Sequence, residues 1–537
     1  MALVPLLIFV HVKLGLEVIQ AFSPTYDEPI HLTAGYVYLK TGHYLFNGGD
    51  HPAFAEMWAA LPLLYLNPAI PFYDDAWMKQ TWTQGEKNRF ANRFLYHNRI
   101  SADQIVTACR KMQLVLSVIL GMAIGLAALQ LGGSWCGLLA FLFWTFSPDF
   151  LSHGTLVTTD LAFAIFFFLF FFSLWRIRSY VGIIISGISL GLCFASKYFA
   201  LAIIPCLAGL ALWDFVFRSI EERKPAWEIF SATSSQIKKA SAILFLAALV
   251  LCLVYRFTDF DVYMKGLMSI VSRSQEGRHA FFGGRYGSHG WILYFPVLLI
   301  LKTPIPILLG LLLTVILAAM KKVSIPLQLW IPPLVFLVVA CFSKVQIGHR
   351  YILCVSPFLI VLASFGYSYL SGWGRIFHFI APAWLFMNMW QTRPNYLAFF
   401  NELIGGPSQG YHYFTDSNVD WGQGLKLLAQ NLDKEDLKNG IYLSYFGTGD
   451  PHFYGIQYID VGSLPPTENS GGPDLRPTKF AISVTNLQGT YYQSKDVFRW
   501  LDQYSPLRMV AYSMFVYDFS NHPEAIKKLE NLRNGGS

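Results

Sequence analysis

Asp27 and Glu28 stand side by side in Ser23-Pro24-Thr25-Tyr26-Asp27-Glu28-Pro29-Ile30-His31, directly after a first apolar segment. Two carboxylates at a membrane border are costly unless compensated, so the pair invites a chemical reading. Neighbours in sequence point their side chains apart and cannot form the facing pair of a glycosidase. The pattern suits one general base for a hydroxyl proton, with the second carboxylate as an orienting group. The plain alternative is a helix cap with Pro29 in the first turn. Asp160 ends Ser152-His153-Gly154-Thr155-Leu156-Val157-Thr158-Thr159-Asp160 and opens a Phe-rich apolar run. It reads either as a helix cap favoured by the dipole or as a second carboxylate of the same cavity, holding sugar hydroxyls. A divalent metal held jointly with Asp27 stays open, although two carboxylates are no metal signature.

Lys197, Lys302, His349 and Arg350 sit at borders of apolar runs. Cations converging there suit an anion at headgroup depth, of which a lipid phosphate is the obvious one. Each alone could simply snorkel to the interface. Arg350 adds a planar bidentate donor just where the chain emerges. His51, in Gly49-Asp50-His51-Pro52, can donate to a phosphate or sugar oxygen, or lie in an ordinary surface turn. The stretch 273–289, with Arg278, His279, Arg285 and Gly283-Gly284, has the composition of a lid.

The elements that must hold these residues are membrane helices. Of 537 residues, 54% are hydrophobic and only 14% charged, with 45 Phe and a mean hydropathy of +0.41. Such a chain is a polytopic membrane protein, and its long unbroken apolar runs indicate helices, not barrel strands. The net charge of +7 comes without a dense Lys/Arg stripe, which argues against nucleic acid as a partner. Cys109, Cys136, Cys193, Cys206, Cys252, Cys341 and Cys354 contain no CxxC pair and read as small core residues.

Residues 1–20 read as a retained first span whose His11, Lys13 and Glu17 should face other helices. A polar loop over 21–110 follows, in which 56–64 has the pattern of an amphipathic helix on the membrane surface. Apolar runs come near 112–131, 135–147, 160–175, 180–195, 198–217 and 241–257. After a second polar loop, 258–290, an interfacial piece precedes a span starting past Pro304, then runs near 325–342, 351–369 and 376–392. The tally is about eleven spans. Arg176, Arg178, Arg218, Arg223, Lys224, Lys238, Lys239, Lys321, Lys322 and Arg375 gather in one set of connections, which makes that side cytoplasmic. Asp27, Asp160, Lys197 and Arg350 then share the exoplasmic face. The division is a membrane domain over 1–392 and an exoplasmic α/β domain over 393–537. Strands are expected at 441–446, 480–484 and 509–517, and helices at 425–432, 497–503 and 523–532.

Taken in order, these motifs resemble those of the membrane-embedded GT-C glycosyltransferases, in the protein O-mannosyltransferase-like (family 39) and aminoarabinose-transferase-like group. The matching stretches are Ser23 to Pro29, His51-Pro52, Leu156 to Asp160, Ser196-Lys197-Tyr198, Leu301-Lys302-Thr303-Pro304, Gly348-His349-Arg350-Tyr351 and Asp416-Ser417-Asn418-Val419-Asp420-Trp421-Gly422-Gln423. The resemblance implies inverting transfer of a sugar from a polyprenyl-phosphate donor to an acceptor hydroxyl at the exoplasmic face of a cell membrane. It makes Asp27 the base. The acceptor class, whether lipid, glycan or protein, stays open, as does the divalent metal. Glu56 stands where protein mannosyltransferases commonly carry lysine, and no β-trefoil insertion is present; these departures leave both the protein acceptor and mannose as the sugar open. A non-enzymatic transporter of lipid-linked sugars is the rival class, but polar residues crowd one face and no internal repeat is visible.

Overall fold

The computed structural model describes residues 3–71, 82–175, 179–221, 226–466 and 475–533. Arg176, Arg178, Arg223 and Lys224 lie outside the described residues, as does the side chain of Arg218. The molecule is mainly helical. Among the described residues, four helices are long and apolar enough to cross a membrane: Val4–Ala21, Ala102–Thr145, Gln236–Val254 and His349–Ser368. Two bent pairs raise this to six if each is one span: Pro148–Thr155 with Asp160–Trp175 at 119°, and Tyr294–Lys302 with Ile305–Ala319 at 112°. The second bend falls at Thr303-Pro304, where proline removes a backbone donor. Shorter apolar helices are Tyr180–Ser196, Tyr198–Asp214 and Leu327–Cys341.

Ala102–Thr145 is not one rod. Gly133 adopts φ +78, a left-handed conformation that glycine takes without Cβ strain, and the arms 102–131 and 134–145 fold back on each other. A Cβ on Gly121 would stand 2.3 Å from the Trp144 ring, and one on Gly125 would stand 2.1 Å from Phe141. The two runs expected near 112–131 and 135–147 are these two arms.

On the first helix, His11 is buried, stacked on Trp144, with ring nitrogens 3.0 Å from Ser117 Oγ and 3.2 Å from the Thr145 carbonyl. Glu17 accepts from Arg393 Nε at 2.7 Å. Lys13 departs from expectation and is exposed, the length of its side chain letting it reach outward.

The first loop is built of short helices, Glu28–Thr41, Phe54–Ala60, Leu63–Leu66 and Gln84–Tyr96; its residues 72–81 lie outside the described ones. The 56–64 stretch has two different faces. Glu56 is only 1% exposed and the helix carrying it presses on Glu28–Thr41, where a Cβ on Gly35 would meet the Glu56 carbonyl. Ala59, Ala60 and Leu63 are buried with it, whereas Leu61 and Leu64 are exposed, so the stretch has one face on protein and an open apolar face.

The C-terminal part carries a five-stranded sheet in the order β4 (Tyr458–Asp460), β3 (Ile441–Ser444), β5 (Lys479–Ser483), β7 (Met514–Asp518), β6 (Arg508–Val510). β3 runs parallel to β4 and β5, whereas β5, β7 and β6 pair antiparallel. The stretch read as one strand at 509–517 is a hairpin, turned by Ala511 and Tyr512, both at φ +55. Two consecutive positive φ values are the signature of a tight hairpin turn. The helix expected at 497–503 is a short 3-10 turn, Arg499–Gln503. A small hairpin, β1 (Ala280–Phe282) with β2 (Arg285–Gly287), projects from the 258–290 loop. Residues 396–400 and 416–423 are buried between the helices and the sheet, joining the two parts tightly.

Candidate active site

Thr25-x-x-Glu28 has the composition of a capping box. Glu28 Oε2 accepts from Thr25 N at 2.8 Å and from Thr25 Oγ1 at 3.1 Å. Its other oxygen accepts from Val157 N at 2.8 Å, so Glu28 fastens the first acidic motif to the second. Arg110, reaching in from 82 residues away, grips both oxygens at 2.9 and 2.5 Å and also donates to the Phe22 and Ser23 carbonyls. Neither side chain of this pair is exposed. Burial opposes the charge on Glu28, yet the guanidinium holds its carboxyl below the usual range.

With Glu28 spent on this clip, Asp27 is the carboxylate left facing inward. It occupies the N-cap position of Glu28–Thr41 but makes no side-chain capping bond. Instead its Oδ2 lies 3.1 Å from Arg350 Nη1, and its side chain keeps 28% exposure. The same guanidinium nitrogen is 3.7 Å from Asp160 Oδ2. Asp160, almost fully buried, pairs through Oδ1 with Lys197 Nζ. Arg350 lies over the Trp421 ring at 4.2 Å and Lys197 over Tyr351 at 4.6 Å. Stacking on aromatic faces fixes both cations without using up their donors. Asp27, Asp160, Lys197 and Arg350 are therefore one cluster.

Buried polar atoms without a hydrogen-bond partner collect around it: Asp160 Oδ2, Arg350 Nε, Thr158 Oγ1, His153 Nδ1 and both ring nitrogens of His349. Orphaned buried groups are rare in native proteins, and several together mark a place where a polar ligand completes the bonding. His349 Nδ1 comes within 3.3 Å of Asp149 Oδ1 without directed bonding.

Lys302 is placed differently. It is buried, donates to the Leu397 and Asn418 carbonyls at 2.7 and 2.5 Å, and lies over the Phe400 ring. These contacts tie the bend at Pro304 to the segment beyond the last helix. Asn418 Oδ1 also accepts from His349 N at 2.9 Å, and Ser417 Oγ donates to the Ile347 carbonyl at 2.9 Å. The 416–423 segment thus holds the Gly348-His349-Arg350 turn from behind. Its Asp416 takes φ +56, a conformation that Asp tolerates better than most residues, and bonds Tyr491 OH.

His51 packs edge-on against His31, with ring centroids 4.8 Å apart. His31 Nδ1 is 2.8 Å from Glu56 Oε1, which also accepts from Asn47 Nδ2 at 2.6 Å. Burial raises Glu56, and although burial also opposes charge on His31, the bond to Glu56 lifts the histidine above its usual value. Next to it, Asp50 pairs with Lys87 and lies 2.5 Å from Arg273 Nη1. Burial works against its charge, but Lys87 and its hydrogen bond bring the Asp50 carboxyl down to about 2.

Arg278 lies near the cluster, its guanidinium 5.9 Å from the Tyr491 ring, on the side of Asp416. Arg285 is on an exposed face of β2, and among the described residues no bond joins it to Asp27, Asp160 or Arg350. Tyr26, Phe446 and Tyr491 form a stacked aromatic wall beside Asp27, with centroids 5.2 and 5.6 Å apart. Burial and the neighbouring Asp27 push the Tyr26 phenol up to about 12.

Sequence reasoning missed Arg110, Asp149, His153, His31 and Tyr491. Arg110 left one signal, a lone arginine in a long apolar helix, which must have a partner. As for a metal, no group of three or more His, Cys, Asp or Glu side chains converges among the described residues. Arg350 and Lys197 already neutralise the space beside Asp27 and Asp160, so this donor set does not fit a divalent ion.

No family model matches the sequence, and no curated protein does. The fold is similar to that of two crystal structures of ArnT from Cupriavidus metallidurans. The one bound to undecaprenyl phosphate has a TM-score of 0.50 at 13% identity, covering 96% of this chain and 97% of that one. The apo form has a TM-score of 0.49 at 12% identity, with the same coverage. The likeness spans essentially the whole chain and shows a shared fold.

Proposed function

We propose that the protein is a membrane glycosyltransferase that moves a sugar from a polyprenyl-phosphate donor to an acceptor hydroxyl, working at the exoplasmic face of a cell membrane. One observation carries the reading: a partly open carboxylate, Asp27, shares an arginine with a buried carboxylate, and unpartnered polar atoms surround that arginine. The fold likeness to a protein crystallised with undecaprenyl phosphate supports the same donor class.

Donor phosphate oxygens would compete with Asp27 and Asp160 for Arg350, and one of the orphaned His349 nitrogens and Arg350 Nε supply further donors. Once phosphate takes Arg350, an oxygen of Asp27 is free to meet the acceptor hydroxyl. The acceptor proton passes to Asp27, the acceptor oxygen bonds the anomeric carbon, and the bond from that carbon to the phosphate oxygen breaks. The electron pair leaves on the phosphate, where cations stabilise it, so no general acid is required. Attack opposite the phosphate inverts the anomeric centre. Lys197 holds Asp160 in place, Glu28 holds the two acidic motifs together, and Lys302 anchors the 416–423 segment. His51, packed on His31, and Arg278, beside Tyr491, are assigned as contacts for donor or acceptor, and Arg285 to the lid alone. No metal takes part in these steps.

Binding of undecaprenyl phosphate to the purified protein tests the donor site. Arg350→Ala should weaken it by about tenfold or more, the worth of a charge-assisted bond or two. Equal affinity in the variant would contradict the assignment.

A further inference from the structure

A cavity of about 550 Å³ is lined by residues of the β1–β2 hairpin, by Leu487 and Gln488, and by the C-terminal sheet. Nothing in the reaction described above uses it. Its floor is aromatic: Tyr411 meets Phe515 at a centroid distance of 5.2 Å, with Tyr517 alongside. Its rim is charged with both signs, Arg499 pairing with Asp496 at 3.2 Å and Asp502 standing exposed nearby. Tyr286 closes one side, its hydroxyl donating to the Gln488 carbonyl at 2.8 Å.

We propose that this cavity binds a saccharide and is the subsite for an extended acceptor glycan, an inference that rests on the glycosyltransferase reading. The volume falls within the usual range for small-ligand sites, about 300–1,000 Å³. Aromatic faces carry negative π charge that suits the weakly positive C–H face of a pyranose, and paired carboxylate and guanidinium groups suit its vicinal hydroxyls. A lipid tail would meet charges at the rim, and a nucleic acid would meet Asp496 and Asp502.

The connections reach the reactive cluster. Leu487 and Gln488 line the cavity, and Tyr491, three residues on from Gln488, bonds Asp416 behind Arg350. The hairpin begins just after Arg278, and its Phe282 bridges to Phe414, two residues before Asp416.

Calorimetry or saturation-transfer NMR on the full-length protein in nanodiscs tests this, with maltohexaose, chitohexaose and an α-1,6-mannohexaose as probes. At least one should bind, and the double variant Arg499→Ala/Asp502→Ala should weaken it by about tenfold. Arg350→Ala should leave saccharide binding intact while losing undecaprenyl phosphate. No binding of any probe at about 10 mM, or binding unchanged in the double variant, would overturn the cavity's role. Competition between probe and undecaprenyl phosphate would overturn it as well, by placing the sugar in the donor site. Undiminished lipid binding in Arg350→Ala would fall on the donor reading alone.

Discussion

Asp27 and Glu28 divide their labour through their partners. Glu28 meets Arg110, Thr25 and Val157 and has no free oxygen, whereas Asp27 meets Arg350 and keeps an open edge. Removing one member of a buried ion pair strands the other charge, so Glu28→Gln should cost about 3–5 kcal/mol of stability. Thermal unfolding in detergent checks this: a melting temperature equal to that of the wild type would show that the clip carries little. Arg350→Lys should keep the charge but lose the planar fork and the stack on Trp421, raising the half-saturating donor concentration more than it lowers turnover. Steady-state kinetics at varied donor concentration reads that difference. Both acidic motifs are legible in the sequence because a carboxylate beside an apolar run demands an explanation. The sharing of roles is not legible, since it is decided by an arginine 82 residues from Glu28 and a turn at Gly348.

The elements that position the cluster are mostly breaks in helices. Asp160 follows a 119° bend, Lys302 ends a helix before a 112° bend, and Arg350 lies in a 3-10 turn. Proline announced the bend at Pro304, and the reversal at Gly133 falls between the two apolar runs near 112–131 and 135–147. The 416–423 segment announced itself only as a motif, because its work consists of bonds to the His349 turn and the Lys302 helix end. Within it, burial pushes the Asp420 carboxyl up to about 7, against bonds from Thr485 and Gly422 that oppose the rise. A folded value above the unfolded one means that the folded state holds the proton more tightly. Its contribution to stability is full below about pH 4 and is lost as pH rises through about 7. Asp420→Asn should therefore flatten the fall in melting temperature between those two values. A pH profile identical to that of the wild type would contradict the buried acid. The hairpin at 508–518 and the burial of Glu56 escaped the sequence reading for related reasons. A tight turn of non-glycine residues looks like continuous strand, and nothing local in the sequence pairs Glu56 with His31 and Asn47.

Across the whole molecule, the cluster, the aromatic wall and the glycan cavity lie where the helical part meets the C-terminal sheet. Composition alone indicated a polytopic helical protein. The close joining of the two parts was not readable, because it depends on residues 396–400 and 416–423 lying buried between them. A transporter of lipid-linked sugars would need none of the base chemistry, so the decisive comparison is between chemistry and movement. Lipid analysis of cells lacking the protein identifies the polyprenyl-phosphate sugar that accumulates, and that lipid, labelled in the sugar, can be reconstituted with purified protein and an extract of the same cells. The wild type should release polyprenyl phosphate and place the label on an acceptor. Asp27→Asn should bind the lipid with near-native affinity and transfer at less than about one hundredth of the wild-type rate, the scale of a lost general base. Transfer by Asp27→Asn at the wild-type rate, or movement of the intact lipid across the bilayer without loss of its sugar, would contradict the account.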